Sequence, residues 1–221
     1  MLDSILNLLY PNVCGFCNKI CFGSICKKCE LKLKKHEINN DVGTGLASAQ
    51  YNFNNLISLF KYEGIIRKKI IEYKFGDKAY LYRTFAKIIL KNEKVCGFLR
   101  NYDIIIPVPL HKKKKHIRGY NQTELIAKEL VKNIPNLKLE TNILIKTKNT
   151  EVQSLLTKNQ RQENIKGAFE VGAGNCACPI EGKRIILFDD IYTTGATANE
   201  CSKVLKRAGA KEILVLTIAK D

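Results

Sequence analysis

The stretch RIILFDDIYTTGAT, residues 184–197, decides the fold of this chain of 221 residues. Its apolar run at 185–188 is typical of a strand that is buried on both faces. From Thr197 onward, small and apolar residues recur at helical spacing until Gly209, which signals the end of a helix. A second apolar run follows at 213–219. Strand, helix and strand in this order predict a parallel βαβ unit.

The polar part of this stretch follows the predicted strand, at the edge of a parallel sheet where ligands bind. The amino end of the helix favours a phosphate group, and Gly195 lets backbone amides converge on one anion. Asp189 and Asp190 would repel that phosphate, but they suit sugar hydroxyls or a Mg²⁺ ion that bridges to them. We therefore predict a site for a ribose 5-phosphate, with the two acids as the candidates for acid chemistry. The predicted ligand-binding residues are Asp189, Asp190, Thr193, Thr194, Gly195, Ala196 and Thr197.

Residues 185–197 resemble the motif by which type I phosphoribosyltransferases bind 5-phosphoribosyl-1-pyrophosphate (PRPP). The shared pattern is four apolar residues, two acids, two variable positions and Thr-Thr-Gly-x-Thr. The resemblance implies an α/β fold of the type I phosphoribosyltransferase-like class, with a Rossmann-like parallel sheet flanked by helices. It also implies that PRPP binds together with Mg²⁺. The alternative is an ordinary strand-turn-helix that carries two acids by chance.

Two Cys-x-x-Cys pairs stand eight residues apart near the start of the chain. At this spacing four thiolates can surround a tetrahedral Zn²⁺ ion. Because four protein ligands leave no open position, we expect a structural ion. Disulfides and a redox pair are the alternatives: a reducing cytosol disfavours the first, and the second needs no second copy. The predicted zinc ligands are Cys14, Cys17, Cys26 and Cys29.

The remaining cysteines and the domain boundary are less strongly determined. Cys21 lies between the two pairs, where it is either a competing ligand or a packing residue, and neither Cys176 nor Cys178 can be assigned a role. The polar, glycine-bearing segment at 39–45 predicts a boundary between two units. The expected units are an N-terminal helix with the zinc module over 1–42, and a phosphoribosyltransferase-like domain over 43–221.

Lysines follow a second predicted strand, an apolar run that ends at Pro107 and Pro109. A predicted loop at 112–118 carries a strong positive charge, which attracts either pyrophosphate with its metal or a nucleic-acid backbone. For the outer lysines a solvated charge run is the alternative. A helix then runs up to Pro135, and a later short helix that Thr157 can cap carries Arg161. The predicted pyrophosphate or nucleic-acid contacts are Lys112, Lys115, Arg118, Asn121 and Arg161.

Upstream of these lysines, runs at 46–51 and 56–62 predict short strands, and the segment after Gly64 predicts a helix that breaks at Gly76. We expect the basic residues of this helix on an outward, solvated face; the alternative is that they line the path of an anionic ligand. They are Arg67, Lys68, Lys69 and Lys74. Several tyrosines among basic residues either offer stacking surfaces for bases or fill the core. They are Tyr62, Tyr73, Tyr80, Tyr82 and Tyr120.

Over nearly its whole length the chain resembles the competence protein F (ComF) family. The resemblance implies a role in natural transformation, in which incoming single-stranded DNA is handled in the cytoplasm beside an ATP-dependent helicase-like partner. It rests on blocks that occur in the expected order. Besides the cysteine pairs and the PRPP motif, these are YKFGD at 73–77, PVPLHK at 107–112, RGYNQ at 118–122, Gln153, Arg161, Asn164 and GAF at 167–169.

A formal net charge of +16 favours single-stranded DNA as a partner, because each neutralised phosphate releases counterions. Lysine enrichment in a genome poor in guanine and cytosine is the alternative. The opening segment at 2–10 is too short to cross a membrane and lacks a basic start, so we expect a cytoplasmic protein without a membrane span. The sequence leaves two functions open. One is a PRPP-binding protein that serves DNA uptake; the other is an active phosphoribosyltransferase with an unidentified nitrogenous acceptor.

Overall fold

A computed structural model describes residues 12–38, 51–150, 157–172 and 179–221. The segment at 2–10, the boundary at 39–45 and most of the run at 46–51 lie outside these residues, as do Gln153, Cys176 and Cys178. Within the described ranges, none of the helices combines the length and the apolar character needed to cross a membrane.

Parallel strands form the main sheet of the described chain. Its members are β1 (Asn55–Lys61), β2 (Ile104–Pro107), β3 (Lys138–Leu139), β6 (Arg184–Tyr192) and β7 (Glu212–Lys220), and a separate antiparallel pair comprises β4 (Leu144–Lys146) and β5 (Phe169–Val171). The order across the main sheet is β1-β7-β6-β2-β3. β6 and β7 pair in register from Arg184 opposite Glu212 to Tyr192 opposite Lys220. The predicted parallel βαβ unit is therefore confirmed at the centre of the sheet.

Helices cover both faces of this sheet. They are α1 (Lys27–Leu33), a 3₁₀ helix (Lys34–His36), α2 (Gly64–Phe75), α3 (Leu81–Lys91), α4 (Glu93–Leu99), α5 (Lys112–Arg118), α6 (Gln122–Val131), α7 (Lys158–Ile165) and α8 (Ala196–Arg207). The predicted helices at α2, α6, α7 and α8 are confirmed. Thr157 caps α7 as expected, since its side chain accepts from the backbone N–H of Gln160. A parallel sheet with helices on both faces confirms the predicted α/β class.

The core is divided by the sheet into two apolar layers, because successive strand residues point to opposite faces. From β6, Ile186 and Phe188 enter the layer that α2, α3 and α6 complete. Ile185 and Leu187 enter the other layer, with α8 and the β4–β5 pair. The two faces of β6 therefore lie in different surroundings, and this difference extends to the two acids that follow.

Two sequence-based expectations about charged residues are wrong. The basic face of α2 is not wholly solvated: Lys69 is only 4% exposed and pairs with Glu72 at 2.9 Å, while Lys74 is directed inward. Residues 112–118 form α5 instead of a loop, because His111 caps its first turn and Gly119, at φ 78°, ends it. For the tyrosines, the core alternative holds for Tyr73, which is fully buried.

The cysteine-rich segment packs directly on α3. The rings of Phe16 and Phe85 meet edge to face at 6.4 Å. A Cβ atom on Gly15 would lie 2.3 Å from the hydroxyl oxygen of Thr84, so this contact requires glycine. The segment therefore shares its core with the sheet domain, and the division at residue 42 stays a prediction.

Candidate functional site

The turn after β6 joins the central strand to α8. β6 continues to Tyr192, past the predicted end at 188, because Asp189 still pairs with Thr217 of β7. Gly195 then opens the helix at φ 76°, in the left-handed region that favours glycine. A Cβ atom there would also lie 2.4 Å from the hydroxyl oxygen of Tyr192. Two independent constraints therefore require glycine at this position.

The turn lies between core and surface at the carboxyl edge of the sheet. Thr193, Thr194 and Thr197 are half-buried, while Gly195 and Ala196 are buried. The N–H of Ala196 donates to the hydroxyl of Thr194 at 3.4 Å. Because the first N–H groups of a helix have no partner within it, the amino end of α8 is suited to an anion.

The two acids have different surroundings. Asp190 is only 4% exposed; its Oδ1 lies 2.8 Å from Nζ of Lys74, and its Oδ2 accepts from the side-chain amide of Gln122 at 2.8 Å. Asp189 is partly exposed, and its Oδ1 accepts from the N–H of Asp190 at 2.8 Å. Asp190 is thus an internal residue held from α2 and α6, while Asp189 faces the other layer. The expectation that both acids lie at an open strand end is wrong for Asp190.

The pKa of Asp189 lies close to neutral pH. Burial raises the pKa of its carboxyl, the negative charge of Asp190 raises it further, and Lys74 opposes both effects, which leaves the pKa at about 7. Such a shift arises where a carboxyl is removed from water near a second negative charge. Asp189 can therefore donate or accept a hydrogen bond near neutral pH.

A hydrogen-bonded network extends from Asp190 to the RGYNQ block. Arg118 donates to Oε1 of Gln122, and its guanidinium lies 5.2 Å from the ring centroid of Phe75. The hydroxyl of Tyr73 donates to the carbonyl oxygen of Gln122 at 2.7 Å. The structure thus brings together three sequence blocks that lie far apart in the chain: YKFGD, RGYNQ and the acid pair.

The other predicted contacts differ in exposure. Asn121 is buried: its amide donates to the carbonyl oxygen of Val108 at 3.1 Å, and its Oδ1 caps α6. Lys112 is exposed, and Lys115 is exposed and pairs with Glu124 at 3.1 Å. Arg161 is half-buried on α7. Of this predicted set, Arg118 is the residue that the network connects to the acid pair.

Four residues near the acids are not among the predicted ligand-binding residues: Lys74, Lys114, Gln122 and Lys146. Burial lowers the pKa of Lys146, and the charge of Lys114 lowers it further, so these two cations are near each other. Lys114 also donates to the carbonyl oxygen of Thr150 at 2.8 Å. Lys74 and Gln122 stand inside the YKFGD and RGYNQ blocks, and this position in the sequence could have indicated them. Nothing in the sequence around Lys146 indicates the site, because the short strand β4 brings it there from far along the chain.

A second candidate site is the cysteine cluster. The Sγ atoms of Cys14, Cys17, Cys26 and Cys29 all lie within 4.8 Å of one another. Cys21 is not one of these four, although its thiol interacts with Cys14; it also donates to the carbonyl oxygen of Gly23 at 3.3 Å. The four predicted ligands therefore converge, and the cluster can hold a metal ion.

The geometry and charge of the cluster fit a metal ion. A tetrahedron with metal–sulfur bonds of about 2.3 Å has edges of about 3.8 Å, and Sγ of Cys17 and Sγ of Cys26 are 3.8 Å apart. Burial raises the pKa of the Cys14 thiol, but backbone N–H groups of Cys26, Cys17 and Phe16 outweigh burial and lower it to about 6. Burial and the neighbouring thiols raise the pKa of Cys29, so four thiolates need a cation among them.

These features define an α/β protein with a parallel sheet flanked by helices and a four-cysteine cluster packed on it. No model of a known protein family matches the chain. It is 30% identical over 214 residues to "Competence protein F" of Haemophilus influenzae, which covers 89% of this chain and 90% of that protein. The chain belongs to the competence protein F family.

Further relatives are also named for competence or for DNA utilization. "Competence protein ComFC" of Streptococcus pneumoniae is 25% identical over 99% of this chain and 85% of its own. "DNA utilization protein YhgH" of Escherichia coli O157:H7 is 25% identical over 76% of this chain and 73% of its own. Among solved structures, glutamine PRPP amidotransferase from B. subtilis aligns at 18% identity and a TM-score of 0.43, over 66% of this chain and 30% of that chain. A TM-score this low supports no functional conclusion.

Replacing Asp189 by Asn is expected to stabilise the protein at pH 8, by about 1–2 kcal/mol, and to leave stability unchanged only below about pH 4, where the folded and unfolded states both keep the proton. With a folded pKa of about 7, above the ordinary value, the wild-type folded state keeps a proton that the unfolded state has lost. Wild-type stability therefore falls as the pH rises towards 7, whereas Asn does not titrate. Urea unfolding at several pH values measures the difference.

Asp103→Asn is the matched control for this experiment. Asp103 accepts from the N–H of Arg184 at 2.7 Å, and this bond holds the pKa of its carboxyl below the ordinary value. It should show no gain at pH 8. A constant difference between Asp189→Asn and wild type at all pH values would contradict the raised pKa.

Proposed function

We propose that this chain binds PRPP or another ribose 5-phosphate at the carboxyl edge of its sheet and acts in the cytoplasmic handling of single-stranded DNA during natural transformation. The observation that carries the ligand proposal is the convergence of the Gly195 turn, the acid pair and Arg118 at one edge. An anion site, hydroxyl acceptors and cations in one place match the three chemical parts of PRPP.

The 5-phosphate is assigned to the amino end of α8. Gly195 holds the turn in a shape that residues with a Cβ resist, and the threonines at 193, 194 and 197 add hydroxyl donors at a half-buried surface. The helix dipole favours a negative charge at this end. The ribose hydroxyls are assigned to the acid pair, of which Asp189 has the more exposed carboxylate and Asp190 the more buried one.

The pyrophosphate is assigned to the cations beside the acids. Arg118 is half-buried and its fork of donors suits a phosphate group. Lys114 and Lys146 form a second cationic pair on the Asp189 side. Mg²⁺ would arrive bound to the pyrophosphate oxygens of PRPP, where it neutralises part of their charge.

For the cysteine cluster we propose a structural zinc ion held by Cys14, Cys17, Cys26 and Cys29. The support is the close approach of the four Sγ atoms and the edge of 3.8 Å between two of them. Zinc in such a site contributes about 10–16 kcal/mol of apparent binding free energy to folding. With four protein ligands the ion has no open position for chemistry.

The proposal for DNA rests on the names of the relatives and on charge. Two relatives are named for competence and one for DNA utilization. The chain carries a formal net charge of +16. None of the residues of α5 is buried, and Lys112 and Lys113 are exposed, so this helix offers adjacent cations beside the candidate site. A helicase-like partner stays a prediction from the family resemblance.

PRPP with Mg²⁺ should bind the wild-type protein, and Asp189→Asn should lower the affinity roughly tenfold, because the amide is a poorer acceptor for ribose hydroxyls than a carboxylate. Isothermal titration measures both values. Asp103→Asn, at the opposite edge of the same sheet, is the control and should bind as the wild type does. Absence of binding to the wild-type protein refutes the ligand proposal. Product analysis with PRPP and candidate bases would reveal transferase activity.

The purified protein is expected to contain one zinc ion per chain. Cys26→Ser should lower the zinc content by more than half and lower the melting temperature, because a three-cysteine site binds zinc far more weakly. Cys21→Ser removes a neighbouring thiol outside the cluster and should change neither value. Elemental analysis with thiol titration provides the measurement; intact thiols without metal would refute the zinc site.

Replacing Lys112 and Lys113 together by Glu is expected to weaken binding of single-stranded DNA at least tenfold at low salt, since each cation neutralises a phosphate. Lys34 and Lys35 are also adjacent and exposed, and their double replacement by Glu makes the same change in net charge. This control should weaken binding less than threefold. Fluorescence anisotropy with an oligonucleotide measures the affinities, and equal losses would show that α5 is not the binding surface.

A further inference from the structure

The carboxylate of Asp190 is already occupied by protein groups. Nζ of Lys74 lies 2.8 Å from Oδ1, and the amide of Gln122 donates to Oδ2 at 2.8 Å. The side chain of Asp190 is only 6% exposed. Each oxygen keeps a second lone pair, but in a side chain this buried a sugar hydroxyl can reach it only if one of the two partners moves.

Gln122 is the partner that is fixed. It is 4% exposed and is the first residue of α6. Three groups hold it at once: the hydroxyl of Tyr73 donates to its carbonyl oxygen, Arg118 donates to its Oε1, and its own amide donates to Asp190. Moving Gln122 would break buried hydrogen bonds on both its backbone and its side chain, which is costly.

Lys74 is the partner that can leave. Its side chain is 19% exposed, and within the described residues Asp190 is its one ion-pair partner. It stands in the last turn of α2, next to the chain reversal at Gly76 and Asp77, where Asp77 has φ 51°. An ammonium group on a flexible four-carbon stem can move without a change in the backbone.

We propose that Lys74 is a ligand-binding residue that exchanges partners: it neutralises Asp190 in the free protein and binds the pyrophosphate end of PRPP once the ribose hydroxyls reach Asp190. This inference rests on the proposed PRPP function. The pyrophosphate end is specified because Lys74 shares the Asp190–Gln122–Arg118 network, whose cation Arg118 is assigned to that end. The exchange needs no net change in charge, since the ammonium passes from one anion to another.

The pairing of Lys74 with Asp190 also stabilises the protein without ligand. A buried carboxylate without a cation is strongly disfavoured, so Lys74 keeps Asp190 charged and in place before the ligand arrives. When Lys74 is removed, the uncovered carboxylate should attract another cation. A lysine that only tethers two elements would uncover Asp190 in the same way, so the effect specific to the exchange is a loss of affinity confined to the pyrophosphate end of PRPP.

The test compares Lys74→Met, Lys74→Arg and the control Lys78→Met by isothermal titration with PRPP, ribose 5-phosphate and MgCl₂ alone. Lys78 lies close along the chain and pairs with Glu72 instead of an acid of the site. For Lys74→Met we expect at least a tenfold loss of PRPP affinity, a loss of less than threefold for ribose 5-phosphate, and Mg²⁺ binding in the absence of PRPP that is tighter than in the wild type. Lys74→Arg should recover PRPP affinity to within about fivefold, and Lys78→Met should bind as the wild type does.

Each outcome decides the inference. If the wild-type protein binds no PRPP, the proposed function fails and the inference fails with it. If the wild-type protein binds PRPP and Lys74→Met binds it equally well, only the exchange is refuted. Equal losses for PRPP and ribose 5-phosphate would identify a tether and refute the exchange. If Lys74→Met does not fold, as judged by its melting temperature, Lys74→Gln and Lys74→Arg carry the same comparison.

Discussion

A buried negative charge must have a partner, and the site is built around the partner of Asp190. The pleat of β6 sends Asp189 and Asp190 to opposite faces of the sheet, so the two carboxylates cannot share one environment. Asp190 enters the layer of α2 and α6, where Lys74 and Gln122 each contact one of its oxygens at 2.8 Å. Asp189 faces α8 and β4 and is left with a raised pKa. Different roles for the two acids follow from this single geometric fact.

Stability alone does not explain the ion pair between Lys74 and Asp190. Burying two charges costs several kcal/mol each, and well-packed apolar side chains of similar size are often as stable. The network around Gln122 recovers part of that cost through hydrogen bonds, but Lys74 is still partly exposed and has no second partner in the described chain. A ligand role explains why such an arrangement is present at the edge of the sheet where ligands bind.

How much the sequence predicted depended on whether the signal was local. The apolar run at 185–188, the glycine at 195 and the helix up to Arg207 are set by neighbours in the chain, and all appear as expected. The inward position of Lys74 depends on a partner over a hundred residues away, and helical periodicity assigned it to solvent. The burial of Asn121 likewise depends on Val108, in another segment. Residue types and spacing predicted a candidate site; which polar atom meets which partner required the packed structure.

The cysteine cluster and the candidate ligand site belong to one packed core. Phe16, next to the cluster, contacts Phe85 at 6.4 Å, and Phe85 contacts Tyr73 at 5.6 Å. Tyr73 donates to Gln122, which donates to Asp190.

Contiguity of this kind is not evidence of energetic coupling. The packing does limit how a structural metal could affect the candidate ligand site. An ion that orders the segment around Phe16 also supports the side of α3 against which Tyr73 packs, and Tyr73 helps to fix Gln122. Any effect of a metal bound by these cysteines on the candidate site would therefore pass through packing, with no need for a chemical role of its own.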